Sequence, residues 1–336
     1  MPLRSREIRL AARPRGLPSD EDFELVEVEL PDPVEGEVLV RNAFVSVDPY
    51  MRPRMNDVRS YVPPFEVGEP LTGGAVGQVV ASASDTLPVG TWVRHDLGWR
   101  EAALVDATRA RAVDASVAPL STALGVLGMP GLTAFVGIAD IAEVKEGDTV
   151  FVSGAAGAVG SLAGQLARLR GARVIGSAGS AEKLAWLEEL GFDATFDYHE
   201  TTPRAALRDL APDGIDVYFD NVGGETLEAA IGALERHGRI VACGSIAGYN
   251  ATEPVPGPRN LFMVVTKRLR MQGFIVFDHF DRLGAFLAEV APRVADGTIG
   301  YRETIVDGIE RAPEAFLALF SGENVGKMLV RVGPEP

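Results

Sequence analysis

The residues with the clearest chemical meaning are the glycines of the stretch TVFVSGAAGAVG, which spans residues 149–160. An apolar run leads into them and an amphipathic run follows, so they predict a turn between a strand and a helix. The last two glycines of a G-x-G-x-x-G pattern stand at Gly157 and Gly160, and Ala155 replaces the first. Such a turn lets the backbone approach a pyrophosphate and presents the free N–H groups of a helix N-terminus. We therefore predict a dinucleotide site, with a ligand-free packing turn as the alternative; its residues are Gly157, Ala158, Val159 and Gly160.

The next predicted strand indicates which dinucleotide is bound. The run RVIGSAGS, residues 173–180, ends in small residues instead of the Asp or Glu that binds the ribose hydroxyls of NAD. No carboxylate is there to repel a 2′-phosphate, Ser180 can donate a hydrogen bond to one, and Lys183 can supply positive charge. NADP(H) is therefore favoured over NAD. The alternative for Lys183 is a solvated residue that pairs with Glu182 or Glu188.

Three further loops follow predicted strands of the same sheet, and ligands of open α/β sheets bind beside such loops. Their residues suit close backbone approach or hydrogen bonding to the nucleotide, although each alone could be a turn former. We expect cofactor contacts from Tyr198, Asn221, Cys243, Gly244, Ser245 and Ile246. Cys243 itself is more typical of a small buried residue than of a nucleophile.

Composition and charge exclude several classes of protein. The 336 residues suffice for about two domains. The chain carries 32 Lys and Arg against 47 Asp and Glu, a formal net charge of −15, so its surface repels phosphate backbones and anionic lipids. We expect neither nucleic acid nor membrane partners. The uncharged stretch 118–139 is interrupted by Pro and Gly, which favours buried protein over a membrane span.

The single cysteine and four histidines limit the chemistry further. One cysteine cannot close an intramolecular disulfide, which favours a reducing, cytoplasmic setting. The set is too small for a thiolate-rich zinc site, so we expect no metal, and no arrangement suited to hydrolysis or thiol redox chemistry is visible. Without a metal, an acceptor of hydride must be polarised by hydrogen bonds or be intrinsically electrophilic. A conjugated carbonyl compound is such an acceptor.

Two patterns of predicted elements divide the chain. Up to about residue 120, short strands such as FELVEVEL alternate with turns, which predicts a small barrel or sandwich. From about residue 149, apolar strands alternate with helices, which predicts an α/β doubly wound parallel sheet. The C-terminal strand, helix and strand are expected to return to the β module. We place the domains at 1–125 with 298–336, and at 126–297.

Eight short motifs run through nearly the whole chain: VSVDPYMR (45–52), MPGLTA (129–134), GAAGAVGS (154–161), GSAEK (179–183), YFDNVGGE (218–225), CGSIAGYN (243–250), GFIVFD (273–278) and GENVGKMLV (322–330). They resemble the motifs of one family and follow that family's order. In these motifs the chain is similar to the zinc-free enone reductases of the medium-chain dehydrogenase/reductase superfamily, which include prostaglandin, plant alkenal and bacterial curcumin reductases.

The resemblance implies a GroES-like β module joined to a Rossmann domain, NADPH as cofactor, and a homodimer. It adds implied cofactor contacts to those above: Thr133, Tyr249, Phe274, Ile275, Val276 and Asn324. Tyr50 and Tyr249 are implied beside the nicotinamide and the substrate as candidate catalytic residues. Asp278 adds an acid near the implied substrate opening, which argues against an anionic lipid substrate.

The expected reaction is the NADPH-dependent reduction of the double bond of an α,β-unsaturated ketone or aldehyde. Negative charge then develops on the carbonyl oxygen, which requires a hydrogen-bond donor. Tyr249, Tyr50 or a cofactor ribose hydroxyl could be that donor, and Tyr50 could instead only pack against the nicotinamide. The alternatives are a quinone reductase with the same cofactor and an NADPH-binding protein without turnover.

Overall fold

The computed structural model describes residues 3–335, which form two compact units. The β unit contains the residues up to Gly125 and those from Glu303 onward. The parallel-sheet unit contains Val126–Arg302.

The strands in chain order are β1 (Leu3–Leu10), β2 (Phe23–Leu30), β3 (Glu37–Ser46), β4 (Ala75–Ser82), β5 (Trp92–His95), β6 (Ala102–Asp106), β7 (Arg111–Ala112), β8 (Thr149–Val152), β9 (Arg173–Ala178), β10 (Ala194–Asp197), β11 (Ile215–Asp220), β12 (Leu234–Ala242), β13 (Arg270–Gly273), β14 (Glu303–Asp307) and β15 (Lys327–Arg331).

The α-helices are α1 (Met51–Arg54), α2 (Met129–Val136), α3 (Gly160–Leu169), α4 (Ala181–Glu189), α5 (Pro203–Leu210), α6 (Gly224–Ala233), α7 (Met263–Lys267), α8 (Leu283–Ala295) and α9 (Ala312–Ser321). Shorter helical segments are Asp20–Asp22, Ala107–Arg109, Leu120–Leu124, Ile246–Gly248, Val276–Arg282 and Ile309–Arg311, all 3-10, and the π-helical Gly137–Ile141.

The β unit is built around the long apolar strand β3. This strand pairs antiparallel with β4, β6 and β15 in a seven-stranded sheet, while β1 and β2 form a separate hairpin. The buried Trp99 stacks on Phe23 at 5.9 Å between ring centroids and meets Phe316 of α9 edge-on at 5.8 Å. The first and last parts of the chain therefore share one core in this unit.

The parallel-sheet unit contains six parallel strands in the order β10-β9-β8-β11-β12-β13. Its central strands are buried because helices cover both faces, which explains their nearly continuous apolar sequence. This is the strand order of a dinucleotide-binding sheet. Successive strands are added toward one edge from β8 to β10 and toward the other edge from β11 to β13, so the order of addition reverses between β8 and β11. The prediction of an α/β doubly wound fold is confirmed. The carboxyl ends of β8 and β11 thus border the crevice where such sheets bind ligands.

Two local features refine the sequence-based expectations. The apolar periodicity of residues 224–238, read alone, favours a helix over the whole stretch, but α6 ends at Ala233 and β12 begins at Leu234. Leu234 and Ile240 are both buried in the strand, and His237 takes a positive φ of 65° just before Gly238.

The uncharged stretch 118–139 forms a 3-10 segment and α2, both largely buried. Within residues 3–335, no helix combines the length and apolarity needed to cross a membrane.

His95 is a buried polar residue at the end of β5. Its Nδ1 accepts a hydrogen bond from the amide of Leu97 at 3.1 Å, and its Nε2 lies 2.9 Å from the Asn42 side-chain oxygen. These partners suit the neutral ring with its proton on Nε2, because a second proton on Nδ1 would face an N–H group. Burial, aided by Arg94 and Arg100, lowers the pKa of His95 from 6.5 to about 3.

The His95 environment predicts that acid destabilises the protein. The unfolded chain takes up a proton below pH 6.5 and the folded ring does not, so stability present above pH 6.5 is lost as the pH falls toward 3. Between pH 7.5 and pH 5 this single group lowers the free energy of unfolding by about 2 kcal/mol. Urea unfolding of the wild type and of His95→Asn at both pH values measures the contribution as the difference between their pH slopes. The exposed His237→Asn is the control and should keep the wild-type slope; equal slopes for wild type and His95→Asn would contradict the assignment.

Candidate active site

The turn after β8 has the shape of a phosphate-binding loop. Gly154 adopts a positive φ of 57°, and its carbonyl accepts from the Gly157 amide at 3.1 Å. A Cβ on Gly160 would lie 2.8 Å from Ala155 Cα, so only glycine lets α3 begin this close to the strand. Among the described residues, the amides of Ala158, Val159 and Gly160 donate to no acceptor. Three donors at a helix N-terminus are therefore available to an anion.

The loop after β11 is shaped by the carboxylate of Asp220. Its Oδ1 accepts from the Tyr218 hydroxyl at 2.7 Å and from the amides of Val222 at 3.0 Å and Gly223 at 2.7 Å. Burial raises the pKa of Asp220, and these three hydrogen bonds act in the opposite direction. The Tyr218 hydroxyl also lies 2.9 Å from Ser153 Oγ, which connects the ends of β8 and β11.

Asn221 is held at the point where these two strands end. Its Nδ2 donates to the Ser153 carbonyl at 2.8 Å, and its own amide donates to Ser153 Oγ at 3.1 Å. Sequence reasoning named Asn221 but missed Ser153 and Tyr218. The signal that was present is the spacing of Tyr218 and Asp220, which are two residues apart and so share one face of a strand.

The loop after β12 is attached to the same residues. The amides of Cys243 and Gly244 both donate to the Asp220 carbonyl, at 3.0 and 2.9 Å, and the amide of Ile246 donates to the Asn221 carbonyl at 3.3 Å. The structure thus brings the predicted residues of this loop beside Asn221. Burial raises the pKa of the Cys243 thiol to about 12, which agrees with its interpretation as a packing residue rather than a nucleophile.

Tyr249 closes this loop with its hydroxyl. The Ser245 amide donates to Tyr249 Oη at 3.3 Å, and a Cβ on Gly244 would lie 3.5 Å from that oxygen. Burial raises the pKa of Tyr249, against the effect of the Ser245 amide, so the phenol is protonated at neutral pH. Its oxygen already accepts a hydrogen bond, and within the described chain its O–H donates to no acceptor. The hydroxyl can therefore donate to a ligand.

The predicted 2′-phosphate residues lie at the start of α4. Ser180 is the N-cap, and its Oγ accepts from the Lys183 amide at 3.4 Å, so the two side chains belong to one helical turn. Lys183 is half-buried, and burial lowers its pKa against the opposing effect of Glu182. The Tyr198 ring covers the preceding residue so closely that a Cβ on Gly179 would lie 2.6 Å from Tyr198 Cζ. Ser180, Lys183 and Tyr198 thus form one group.

The remaining predicted contacts of this unit are more dispersed. Thr133 is buried on α2, and its hydroxyl donates to the Met129 carbonyl at 2.8 Å, within the same helix. Phe274 and Ile275 follow the edge strand β13 and are half-buried, whereas Val276 is buried. Asp278 is exposed in the short helical segment that comes next.

Tyr50 and Asn324 belong to the β unit. Asn324 donates from Nδ2 to the Gly326 carbonyl at 2.8 Å, in the turn before β15. Tyr50 is half-buried at the start of α1, and burial, reinforced by Asp48, raises the pKa of its phenol.

A buried lysine that sequence reasoning missed fixes the segment before Tyr50. Lys327 Nζ donates to the Val47 carbonyl at 2.8 Å, to Asp48 Oδ1 at 3.0 Å and to the Met328 carbonyl at 2.8 Å. The two motifs that contain these residues stand at opposite ends of the chain, so no local pattern could pair them. Within residues 3–335, no group of three or more His, Cys, Asp or Glu side chains is placed so that it could hold a metal ion.

These groups fit NADP(H). The unpaired amides of residues 158–160 suit a pyrophosphate, and the cation of Lys183 beside the Ser180 hydroxyl suits a 2′-phosphate. Asn221 and the loop 243–246 lie beside the carboxyl ends of the central strands, where a dinucleotide crosses such a sheet.

Comparison with known proteins gives consistent matches along the chain. Residues 6–113 match the family described as "N-terminal domain of oxidoreductase", and residues 158–291 match "Zinc-binding dehydrogenase". The NADPH-dependent curcumin reductase of Escherichia coli is 42% identical over 335 residues, covering 98% of this chain and 97% of that protein. The 2-alkenal reductase (NADP(+)-dependent) of Nicotiana tabacum is 42% identical over 329 residues, 95% of each chain.

A solved structure agrees with these matches. The crystal structure of CurA from Vibrio vulnificus in complex with NADPH has a TM-score of 0.92 and 43% sequence identity, covering 98% of this chain and 99% of that one. The resemblance seen in the sequence motifs is confirmed. Because identity exceeds 40% over almost the full length of the relatives, this chain belongs to the medium-chain dehydrogenase/reductase family, in the group that contains the curcumin and 2-alkenal reductases.

Proposed function

We propose that this protein reduces the carbon–carbon double bond of α,β-unsaturated ketones and aldehydes with NADPH. Bound NADPH supplies the hydride that adds to the β-carbon of the substrate, and the α-carbon then takes up a proton. The names of the relatives, a curcumin reductase and a 2-alkenal reductase that use NADP(H), support this reaction class. The observation in this chain that carries the proposal is the hydroxyl of Tyr249, whose proton is available at the loop after β12.

Tyr249 is suited to stabilise the developing negative charge of the substrate oxygen. The Ser245 amide occupies one lone pair of the hydroxyl, which both fixes the ring and directs the O–H away from that amide. The raised pKa keeps the phenol protonated, so it serves as a hydrogen-bond donor at neutral pH. We infer that Tyr249 donates to the carbonyl oxygen of the substrate as the double bond is reduced.

The cofactor is held by groups of two kinds. The amides of residues 158–160 receive the pyrophosphate, while Ser180 and Lys183 receive the 2′-phosphate. Partial burial of Lys183 favours pairing with an anion, because an opposite charge replaces the water that the ammonium group has lost. Asn221, Tyr198 and the loop 243–246 complete the proposed contacts of this unit, together with Thr133 and residues 274–276.

The 2′-phosphate assignment predicts a change in cofactor preference. Lys183→Ala should raise the Kd for NADPH by about tenfold, because one charge-assisted hydrogen bond to the phosphate is lost. The Kd for NADH should stay within about twofold, since NADH lacks that phosphate. Fluorescence titration of both cofactors against wild type and variant measures the two values. The assignment fails if both affinities fall equally, or if Lys183→Ala leaves the Kd for NADPH unchanged.

The role of Tyr249 predicts a defect in turnover rather than in cofactor binding. Tyr249→Phe should lower kcat for 3-buten-2-one and 2-nonenal by about a hundredfold, the usual effect of removing one oxyanion donor. Its Kd for NADPH should change little. NADPH oxidation at saturating enone, followed at 340 nm, measures the effect. The matched control Tyr301→Phe, at a half-buried tyrosine outside the proposed site, should retain wild-type kcat. Equal kcat values for wild type and Tyr249→Phe would remove Tyr249 from the mechanism, and a wild type inactive on all enones would contradict the proposed reaction.

We also propose that the protein is a cytoplasmic homodimer. The edge strand β13 is exposed along its whole length, and its outer backbone groups can pair with another strand. Large apolar side chains near this edge are exposed: Phe262 at 73%, Val265 at 66% and Met271 at 43%. Symmetric pairing of two copies would cover both features at once. The single thiol of Cys243 suits a reducing compartment.

The proposed dimer edge can be tested directly. The double variant Val265→Asp/Met271→Asp should have the mass of one chain by size-exclusion chromatography with light scattering, since buried unpaired carboxylates oppose association. The wild type should have the mass of two chains. Val89→Asp, at a valine that is 63% exposed in the β unit, is the matched control and should stay dimeric. A wild type with the mass of one chain would contradict the proposal.

A further inference from the structure

A histidine outside the predicted site lies beside the start of α4. His199 follows Tyr198 in the turn after β10, and the two rings are in contact, with centroids 4.5 Å apart and planes inclined by 52°. Gly179 directly precedes Ser180, the N-cap of α4, and a Cβ on Gly179 would lie 3.0 Å from His199 Nε2. The imidazole therefore reaches the backbone that leads into the proposed 2′-phosphate residues.

The turn after β10 fixes the position of this histidine. The His199 amide donates to Asp197 Oδ1 at 2.8 Å, and the Glu200 amide donates to the Asp197 carbonyl at 3.2 Å. Parallel pairing of β10 with β9 places Asp197 beside Ala178, and the Tyr198 amide donates to the Ala178 carbonyl at 3.2 Å. The turn is thus attached to the end of β9, from which the chain passes into α4.

Several hydrogen-bond donors at this helix start are uncommitted. Within the described chain the amides of Ala181 and Glu182 donate to no acceptor, as expected in the first turn of a helix. The His199 side chain is exposed, and among residues 3–335 neither of its ring nitrogens makes a hydrogen bond. An imidazole carries at least one N–H group whether it is neutral or protonated. An anion bound here would therefore meet a ring donor as well as backbone amides.

The charges of the two segments show why a phosphate needs this additional donor. Among residues 179–183 and 197–200, Lys183 is the one permanent cation, and it is opposed by the carboxylates of Glu182, Asp197 and Glu200. A phosphate monoester is itself anionic at neutral pH. Its binding then depends on N–H groups that reach its oxygens, because hydrogen bonds to an ionised acceptor are about twice as strong as neutral ones.

We propose that His199 is a specificity-determining residue that donates a ring N–H to the 2′-phosphate of NADPH. The inference rests on the proposed NADPH site and deepens it, since it adds a donor from the turn after β10 to Ser180 and Lys183 of α4. A ring that only packed against the adenine would act equally on nucleotides with and without the 2′-phosphate. A ring that donates to the phosphate acts on the phosphorylated nucleotide alone.

Two adenosine nucleotides that differ only in the 2′-phosphate test the inference by calorimetry. His199→Ala should raise the Kd for adenosine 2′,5′-bisphosphate by about tenfold, because one hydrogen bond to a charged group is lost. The Kd for adenosine 5′-monophosphate should stay within about twofold. The inference is overturned if His199→Ala leaves the Kd for the bisphosphate unchanged, or if it raises both Kd values by the same factor.

Two further variants separate the ring N–H from the ring itself. His199→Phe keeps an aromatic ring against Tyr198 but has no N–H, so its Kd for the bisphosphate should rise as in His199→Ala. His199→Gln loses the ring but keeps an amide donor, so it should recover part of the affinity. The reverse order would assign the effect to packing on Tyr198 and overturn the inference. The matched control His237→Asn removes an exposed histidine of β12 and should keep both wild-type Kd values.

These titrations separate the inference from the proposed function because they do not require turnover. An unchanged Kd for the bisphosphate in His199→Ala, together with a raised Kd in Lys183→Ala, would overturn this inference and leave the proposed NADPH site intact. A tenfold effect of His199→Ala in a protein inactive on enones would contradict only the proposed reaction. A wild type that binds both nucleotides equally would contradict the proposed 2′-phosphate site and this inference with it.

Discussion

The close approach of α3 to the end of β8 is the constraint on which the cofactor site depends. Gly160 has no side chain, and a methyl group there would lie 2.8 Å from Ala155 Cα, well inside van der Waals contact. The helix can therefore begin next to the strand, and its first amides follow directly after the carboxyl end of β8. A larger residue would push α3 away from the sheet and separate the unpaired amides of residues 158–160 from the loops that are proposed to bind the rest of the dinucleotide.

Asp220 connects the turn after β11 to the loop after β12. Its side chain shapes the turn through Gly223, and its carbonyl accepts from the amides of Cys243 and Gly244. One residue thus determines the positions of two loops. Burial of a carboxylate is unfavourable unless its lone pairs are satisfied, and the three donors to Oδ1 provide that compensation. Because Ser245 follows directly, the position of the Tyr249 hydroxyl depends on the main-chain carbonyl of the same residue.

Features carried by short contiguous segments could be predicted from the sequence. The strand, turn and helix around Gly157, the small residues that end the next strand before Ser180, and the alternation of strands and helices are local, because each rests on residues within about one element of each other. The end of α6 could not be predicted, since Leu234 is apolar in either a helix or a strand and only its burial in the sheet decides between them. Lys327 and Asp48, 279 residues apart, could be paired only by the folded sheet.

The candidate catalytic groups share one electrostatic principle. Burial raises the pKa values of Tyr249 and Tyr50, so neither phenol ionises at neutral pH, and both remain donors. A neutral donor is suited to a reaction in which charge appears on an oxygen only during hydride addition, because it stabilises that charge without binding an anion beforehand. Orientation then matters more than acidity: a phenol whose oxygen accepts a protein N–H has its proton already directed elsewhere. On the proposed function the protein contributes preorganised hydrogen bonds, and the reducing equivalent comes from the nucleotide.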